Sequence, residues 1–73
     1  MTADKWYQVP IASRVEPFLR EQADRWYTAA AIAGWAHLAE WQVAEQLRPL
    51  LVEGKVLQET EDGRTYYRWA PAK

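Results

Sequence analysis

The sequence predicts one small α+β domain, in which three helices precede a β-hairpin, and three observations indicate it. Its 73 residues, 49% of them apolar, permit a single hydrophobic core. The apolar residues recur mainly with a helical period between residues 13 and 53 and with a strand period from residue 56. The pair Asp62-Gly63 lies between two runs of strand-forming residues. We divide the chain into an N-terminal arm (1–10), the domain (11–70) and a C-terminal tail (71–73).

The arm shows no helical period, and Trp6, Tyr7 and Val9 are its candidate anchors. The first helix is predicted to begin at Ser13, because Ser13 and Glu16 have the spacing of a capping box. Its inward stripe is expected to comprise Val15, Phe18, Leu19, Gln22, Ala23 and Trp26.

The middle of the chain predicts a short strand and two further helices. Residues 26–28 favour a strand, and Thr28 is a suitable cap for a second helix over residues 29–36. After a break at residues 37–39, a third helix is expected over residues 40–53, with Gly54 as its stop. The inward stripe of this helix is Val43, Leu47, Leu50 and Leu51.

Residues 56–60 and 65–69 predict a hairpin with a two-residue turn at Asp62-Gly63. That turn sets Val56 opposite Trp69, so that Val56, Tyr67 and Trp69 share one face, and Leu57 lies with most of the charges on the other. We expect one core formed by Val15, Phe18, Leu19, Ile32, Leu38, Val43, Leu47, Leu50, Val56 and Tyr67.

Composition argues against several classes of function. The absence of cysteine excludes disulfides and thiolate metal sites, and a lone His37 with a lone Ser13 forms no catalytic constellation. We therefore expect no enzyme activity, no metal and no cofactor. No apolar run approaches the roughly 18 residues that span a bilayer, so we expect a cytoplasmic protein without membrane contact. The net charge of −1 argues against the broad basic surface of most nucleic-acid binders.

The order of elements and the spacing of residues 28–69 resemble the winged helix-turn-helix domain family. The resemblance rests on Ile32-Ala33, Leu38, Val43, Leu47, Leu50, Val52-Glu53-Gly54-Lys55-Val56 and Tyr66-Tyr67-Arg68. It implies that Ala33 is the small residue where the second and third helices cross, and that Gly54 begins the wing. His37 stands in the turn where the family often has glycine, and histidine tolerates a left-handed backbone better than most residues do. The implied function is that of a small DNA-binding module like those of transcriptional regulators.

The resemblance further implies that the outward side of the third helix and the wing contact duplex DNA. Gln42 is a candidate for reading adenine by paired hydrogen bonds. Candidate phosphate contacts are Arg48, Lys55, Arg64 and Arg68. Alternatives without a binding role stay open. Gln42 is then solvated, and Arg48 pairs with Glu45 or Glu53. The arginines of the wing are then neutralised by Glu59, Glu61 and Asp62.

The alternative function is a protein-interaction or dimerisation module centred on Trp41. The spacing i, i+4 and i+7 sets three residues on the side of the third helix away from Val43, namely Trp41, Glu45 and Arg48. Tryptophan and arginine are enriched among residues that contribute most to protein binding, whereas Glu40 and Glu45 would repel phosphates. In the alternative without a binding role, Trp41 folds back onto Trp35 or His37 and closes the junction of the helices. The expected partner is thus duplex DNA or a protein, a second copy of the chain included.

Overall fold

The computed structural model describes residues 6–71, in which three helices precede a β-hairpin. Helices α1, α2 and α3 span Val15–Glu21, Ala29–Ala36 and Glu40–Val52, and a 3₁₀ turn at Ile11–Ser13 precedes α1. Strands β1, β2 and β3 span Tyr27–Thr28, Val56–Glu61 and Arg64–Trp69 and form one antiparallel sheet in the order β1-β3-β2. The predicted α+β class is confirmed. Within residues 6–71, no helix is long and apolar enough to cross a membrane.

The first helix is shorter than the sequence predicts, and its predicted capping box is wrong. Arg14, not Ser13, is the N-cap, and it makes no side-chain capping bond. The first helical N–H, that of Val15, donates to the Gln46 side chain of α3 at 3.0 Å. The helix ends at Glu21, so the remainder of the predicted stripe, Gln22, Ala23 and Trp26, lies beyond it. The chain has to leave the helix there because β1 begins at residue 27 and pairs with β3.

The second helix, the turn and the third helix follow the prediction closely. The Thr28 side chain accepts the Ala31 N–H at 3.1 Å, as an N-cap does. His37 ends α2 in the left-handed conformation, with φ of 58°, and confirms that a histidine can occupy this turn. Helix α3 continues through Pro49 to Val52, and Gly54 follows with φ of +76°.

The hairpin has the predicted register, with Val56 opposite Trp69 and Gln58 opposite Tyr67. Asp62 and Gly63 have φ of 54° and 79°. Positive φ at both central residues is the requirement of a type I′ turn, whose twist matches that of the flanking strands. Strand β1 adds a third strand to this pair by setting Tyr27 opposite Tyr67.

One core lies between the helices and the inner face of the sheet. Of the ten predicted members, eight are buried in it, and Leu38 and Tyr67 pack against it while partly exposed. The arm contributes a member that the predicted core omits, since Trp6 is only 7% exposed and its ring meets that of Phe18 edge to face. Trp6 and Val9 are thus anchors in the core as expected, and Tyr7, although it lies on the surface, contacts His37.

Candidate nucleic-acid interface

A buried arginine that no sequence pattern singled out contacts the turn before α3. Arg14 is 5% exposed, and its Nε donates to the Val9 carbonyl at 2.9 Å. Its Nη1 donates to the carbonyls of Ala36 and His37 at 3.2 and 3.0 Å. Carbonyls at a helix C-terminus carry partial negative charge, which favours a cation there. Arg14 therefore fastens the segment before α1 to the turn that joins α2 and α3.

Two further contacts hold the N-terminal segment against the same region. The Gln46 amide, which caps α1 through Val15, also donates from Nε2 to the Ile11 carbonyl at 2.7 Å. The Tyr7 ring stacks on His37 with centroids 4.5 Å apart, and its hydroxyl lies 3.2 Å from Nδ1. Each of these pairs is separated by 30 residues or more in the chain. No local pattern could have predicted them.

The outward side of α3 is exposed along most of its length. Trp41 is 64% and Val52 83% exposed, and Glu45 and Arg48 lie between them on the same side. No ring contact joins Trp41 to Trp35 or His37 within residues 6–71, so the alternative in which Trp41 closes the helix junction is not observed. His37 is stacked on Tyr7 instead.

Arg48 is the cation of α3, and its side chain makes no ion pair with another residue in the described part of the chain. The alternative in which it pairs with Glu45 or Glu53 is therefore not observed. Glu53 binds Lys55 instead, with Nζ and Oε1 3.2 Å apart. Arg48 projects from the outward side of α3 with its charge available to a ligand.

Lys55, another predicted phosphate contact, already has two acidic neighbours. Its Nζ lies 3.2 Å from Glu53 and 3.7 Å from Glu16, at the corner between α3 and β2. The hydrogen bond that Lys55 donates to Glu53, together with the charges of both carboxylates, raises the pKa of Lys55 above its ordinary value. Its positive charge is thus balanced within the protein, and it would add little attraction for a phosphate.

Gln42, the candidate for reading adenine, acts as part of a helix cap. Its Oε1 accepts the Ala39 N–H at 2.8 Å, which satisfies a backbone donor at the start of α3. Paired recognition of adenine needs both the oxygen and the nitrogen of the amide. Gln42 could read a base in this way only if the cap opened.

The two arginines of the wing differ in their surroundings. Arg64 begins β3 beside the turn and is exposed, and no ion pair joins it to Glu61 within the range 6–71. Arg68 is held back, since its Nε donates to the Ala23 carbonyl at 3.3 Å and its guanidinium lies 5.8 Å from the centre of the Trp26 ring. Of the five predicted nucleic-acid contacts, the structure thus leaves Arg48 and Arg64 without a partner among the described residues.

The comparisons with known proteins find a likeness among solved structures. No protein-family model matches the chain, and no curated protein matches it significantly. Among solved structures, it is similar to one that concerns the DNA recognition and protein interaction domains of HOP2 and that protein's homologous DNA pairing properties. The two are 25% identical, with a TM-score of 0.71, over 84% of this chain and 100% of the other. Three helices and a three-stranded antiparallel sheet with this likeness make the fold a winged helix.

Proposed function

We propose that this chain is a DNA-binding module that presents the outward side of α3 to the major groove and the tip of the wing to a neighbouring phosphate. The observation that carries the proposal is the likeness to the DNA recognition domain of HOP2, which extends over the whole of that chain. Exposed arginines on the two elements that would approach the duplex support it, since neither forms an ion pair with another residue in the range 6–71. They are Arg48 on α3 and Arg64 at the tip of the wing.

The charges on these elements define the kind of binding that we propose. An α-helix fits the major groove, and an arginine on its outward side reaches either a phosphate or a guanine edge. Glu40 and Glu45, on the same helix, oppose the approach of the phosphates. Two cationic contacts set against two carboxylates give weak binding that is strongest at low salt. The module thus suits a role in which DNA affinity comes partly from other domains or copies.

The test is a titration with random duplex DNA at several salt concentrations, followed residue by residue by NMR. Arg48→Ala and Arg64→Ala should each reduce the slope of log affinity against log salt by about 0.9, the value for one phosphate contact. Arg25→Ala is the matched control because Arg25 is also exposed and lies before β1, at the end of the sheet opposite the hairpin turn. The slope of log affinity against log salt for Arg25→Ala should equal that of the wild type.

Two outcomes would contradict the proposal. One is the absence of shift changes in α3 and the wing at low salt, where the electrostatic attraction is greatest. The other is an Arg25→Ala slope reduced as much as that of Arg48→Ala, which would indicate binding without a defined face.

A second candidate is a protein interface on the same helix, and the exposed Trp41 beside Val52 favours it. An indole next to carboxylates suits a protein groove better than a phosphate-lined one, and aromatic residues are enriched in interface cores. Sedimentation and binding measurements on Trp41→Ala distinguish the two functions. A protein interface predicts a loss of association that depends little on salt, whereas DNA binding predicts a steep dependence on salt.

A further inference from the structure

The outer face of the sheet, away from the core and from α3, carries a pocket that the proposed DNA contacts Arg48 and Arg64 do not line. Its lining consists of Trp26, Tyr66, Glu59 and Glu61, around a volume of about 280 Å³. Glu59 lies directly opposite Tyr66 across the hairpin, and Glu61 lies two residues further along the same face of β2. Trp26 precedes β1, on the other side of β3. The pocket is thus lined by two aromatic rings and two carboxylates.

Neither carboxylate of this pocket is neutralised by another described residue. The ion pairs within residues 6–71 involve Glu16 and Glu53, not Glu59 or Glu61. Arg64 lies across the hairpin from Glu61 but forms no ion pair with it. Arg68 is engaged by the Ala23 carbonyl and the Trp26 ring. The pocket therefore contains two negative charges, which no residue of the range 6–71 pairs, beside two partly exposed rings.

We propose that this pocket binds an organic cation, namely an ammonium or guanidinium group. Aromatic faces attract such groups through the ring quadrupole, and adjacent carboxylates add a direct Coulomb attraction. The volume lies below the range typical of drug-sized ligands and suits a single cationic head group. The same rings could stack on nucleic-acid bases, but the carboxylates would repel the phosphates.

The test uses tetramethylammonium as the probe and tert-butanol as a neutral probe of similar shape. The ¹⁵N-labelled chain reports on its own tryptophans, because each of its five indole N–H groups gives a separate signal. Tetramethylammonium should shift the Trp26 signal in a saturable manner and leave those of Trp35 and Trp41 in place, and tert-butanol should shift none. Equal shifts with both probes, or no shift at Trp26, would overturn the proposal.

Substitutions identify the source of the attraction. The double variant Glu59→Gln with Glu61→Gln should bind tetramethylammonium about 25-fold more weakly, because each carboxylate contributes an attraction of about fivefold at contact distance in water. Glu45→Gln removes an exposed carboxylate from α3 and should leave the affinity unchanged. The amide spectrum of the double variant shows whether the fold persists, since both side chains are exposed. Unchanged affinity in a folded double variant would refute the role of the carboxylates.

Further arms of the experiment distinguish the origin of the cation. A short peptide with one lysine or arginine should compete with tetramethylammonium at Trp26. Tighter binding of the peptide would indicate a protein partner, and tighter binding of the quaternary ion would indicate a small molecule; both outcomes support a cation site. A single-stranded oligonucleotide that shifts Trp26 when the cations do not would overturn the proposal in favour of base stacking.

Discussion

Replacement of Arg14 by methionine tests the contact network that positions α3. The variant keeps the length and apolar stem of the side chain and removes the guanidinium. Three carbonyl oxygens then lose their donor, those of Val9, Ala36 and His37. The bond to Ala36 is buried and the other two are partly buried, so water can replace only some of what is lost.

The expected loss follows from these three bonds. A hydrogen bond from a charged donor contributes about 1.5–3 kcal/mol, and a buried carbonyl left without a donor costs about 1–3 kcal/mol. Water at the two partly buried carbonyls reduces the total, so we expect Arg14→Met to lower the free energy of unfolding by about 2–4 kcal/mol. For a domain of this size, each 1 kcal/mol lowers Tm by roughly 4–8 °C. The melting temperature should thus fall by roughly 8–32 °C.

Urea denaturation of the wild type, Arg14→Met and Arg14→Lys measures this effect. Lysine keeps the charge but offers a single point of donation, and it cannot reach Val9 and Ala36 together as the guanidinium does. The stability of Arg14→Lys should therefore lie between those of the wild type and Arg14→Met. The reasoning fails if Arg14→Met lowers the free energy of unfolding by less than about 0.5 kcal/mol, or if Arg14→Lys is as stable as the wild type. Either result would show that the forked contact does not position α3.

The remaining predictions concern stability and use the same denaturation assay. Leu47→Ala should cost about 2–5 kcal/mol because Leu47 is buried between helices, and a cost below about 0.5 kcal/mol would contradict its inward position. Trp41→Ala should change stability by less than about 1 kcal/mol, and a collapse would make Trp41 a core residue. Gly34→Ala should stabilise α2 by up to about 1 kcal/mol, whereas Gly63→Ala should destabilise the hairpin by about 1 kcal/mol. An added Cβ meets no atom at either glycine, but only Gly63 has a positive φ, so equal effects would contradict this account.

The candidate site was only partly predictable from the sequence. The resemblance placed Arg48 and Arg64 on the elements that would approach DNA, and the structure leaves both side chains exposed. It could not show that Lys55 is balanced by Glu16 or that Arg68 is held by Ala23, because these partners lie 39 and 45 positions away in the chain. The pocket beside Trp26 could not be predicted from the sequence either, since its lining residues come from two separate parts of the chain.

The sequence by itself determined the elements whose cause is local. Thr28 caps α2 through a neighbouring N–H, and Asp62-Gly63 fixes the hairpin register through its own backbone conformation. Only the tertiary structure decided where α1 begins, because its first N–H is satisfied by Gln46 of α3 and not by a residue nearby. It also decided the role of Arg14, whose charge would suggest a solvated side chain. A charged side chain can be buried only where polar groups satisfy it, which at Arg14 are three converging carbonyls, and that convergence exists only after the chain has folded.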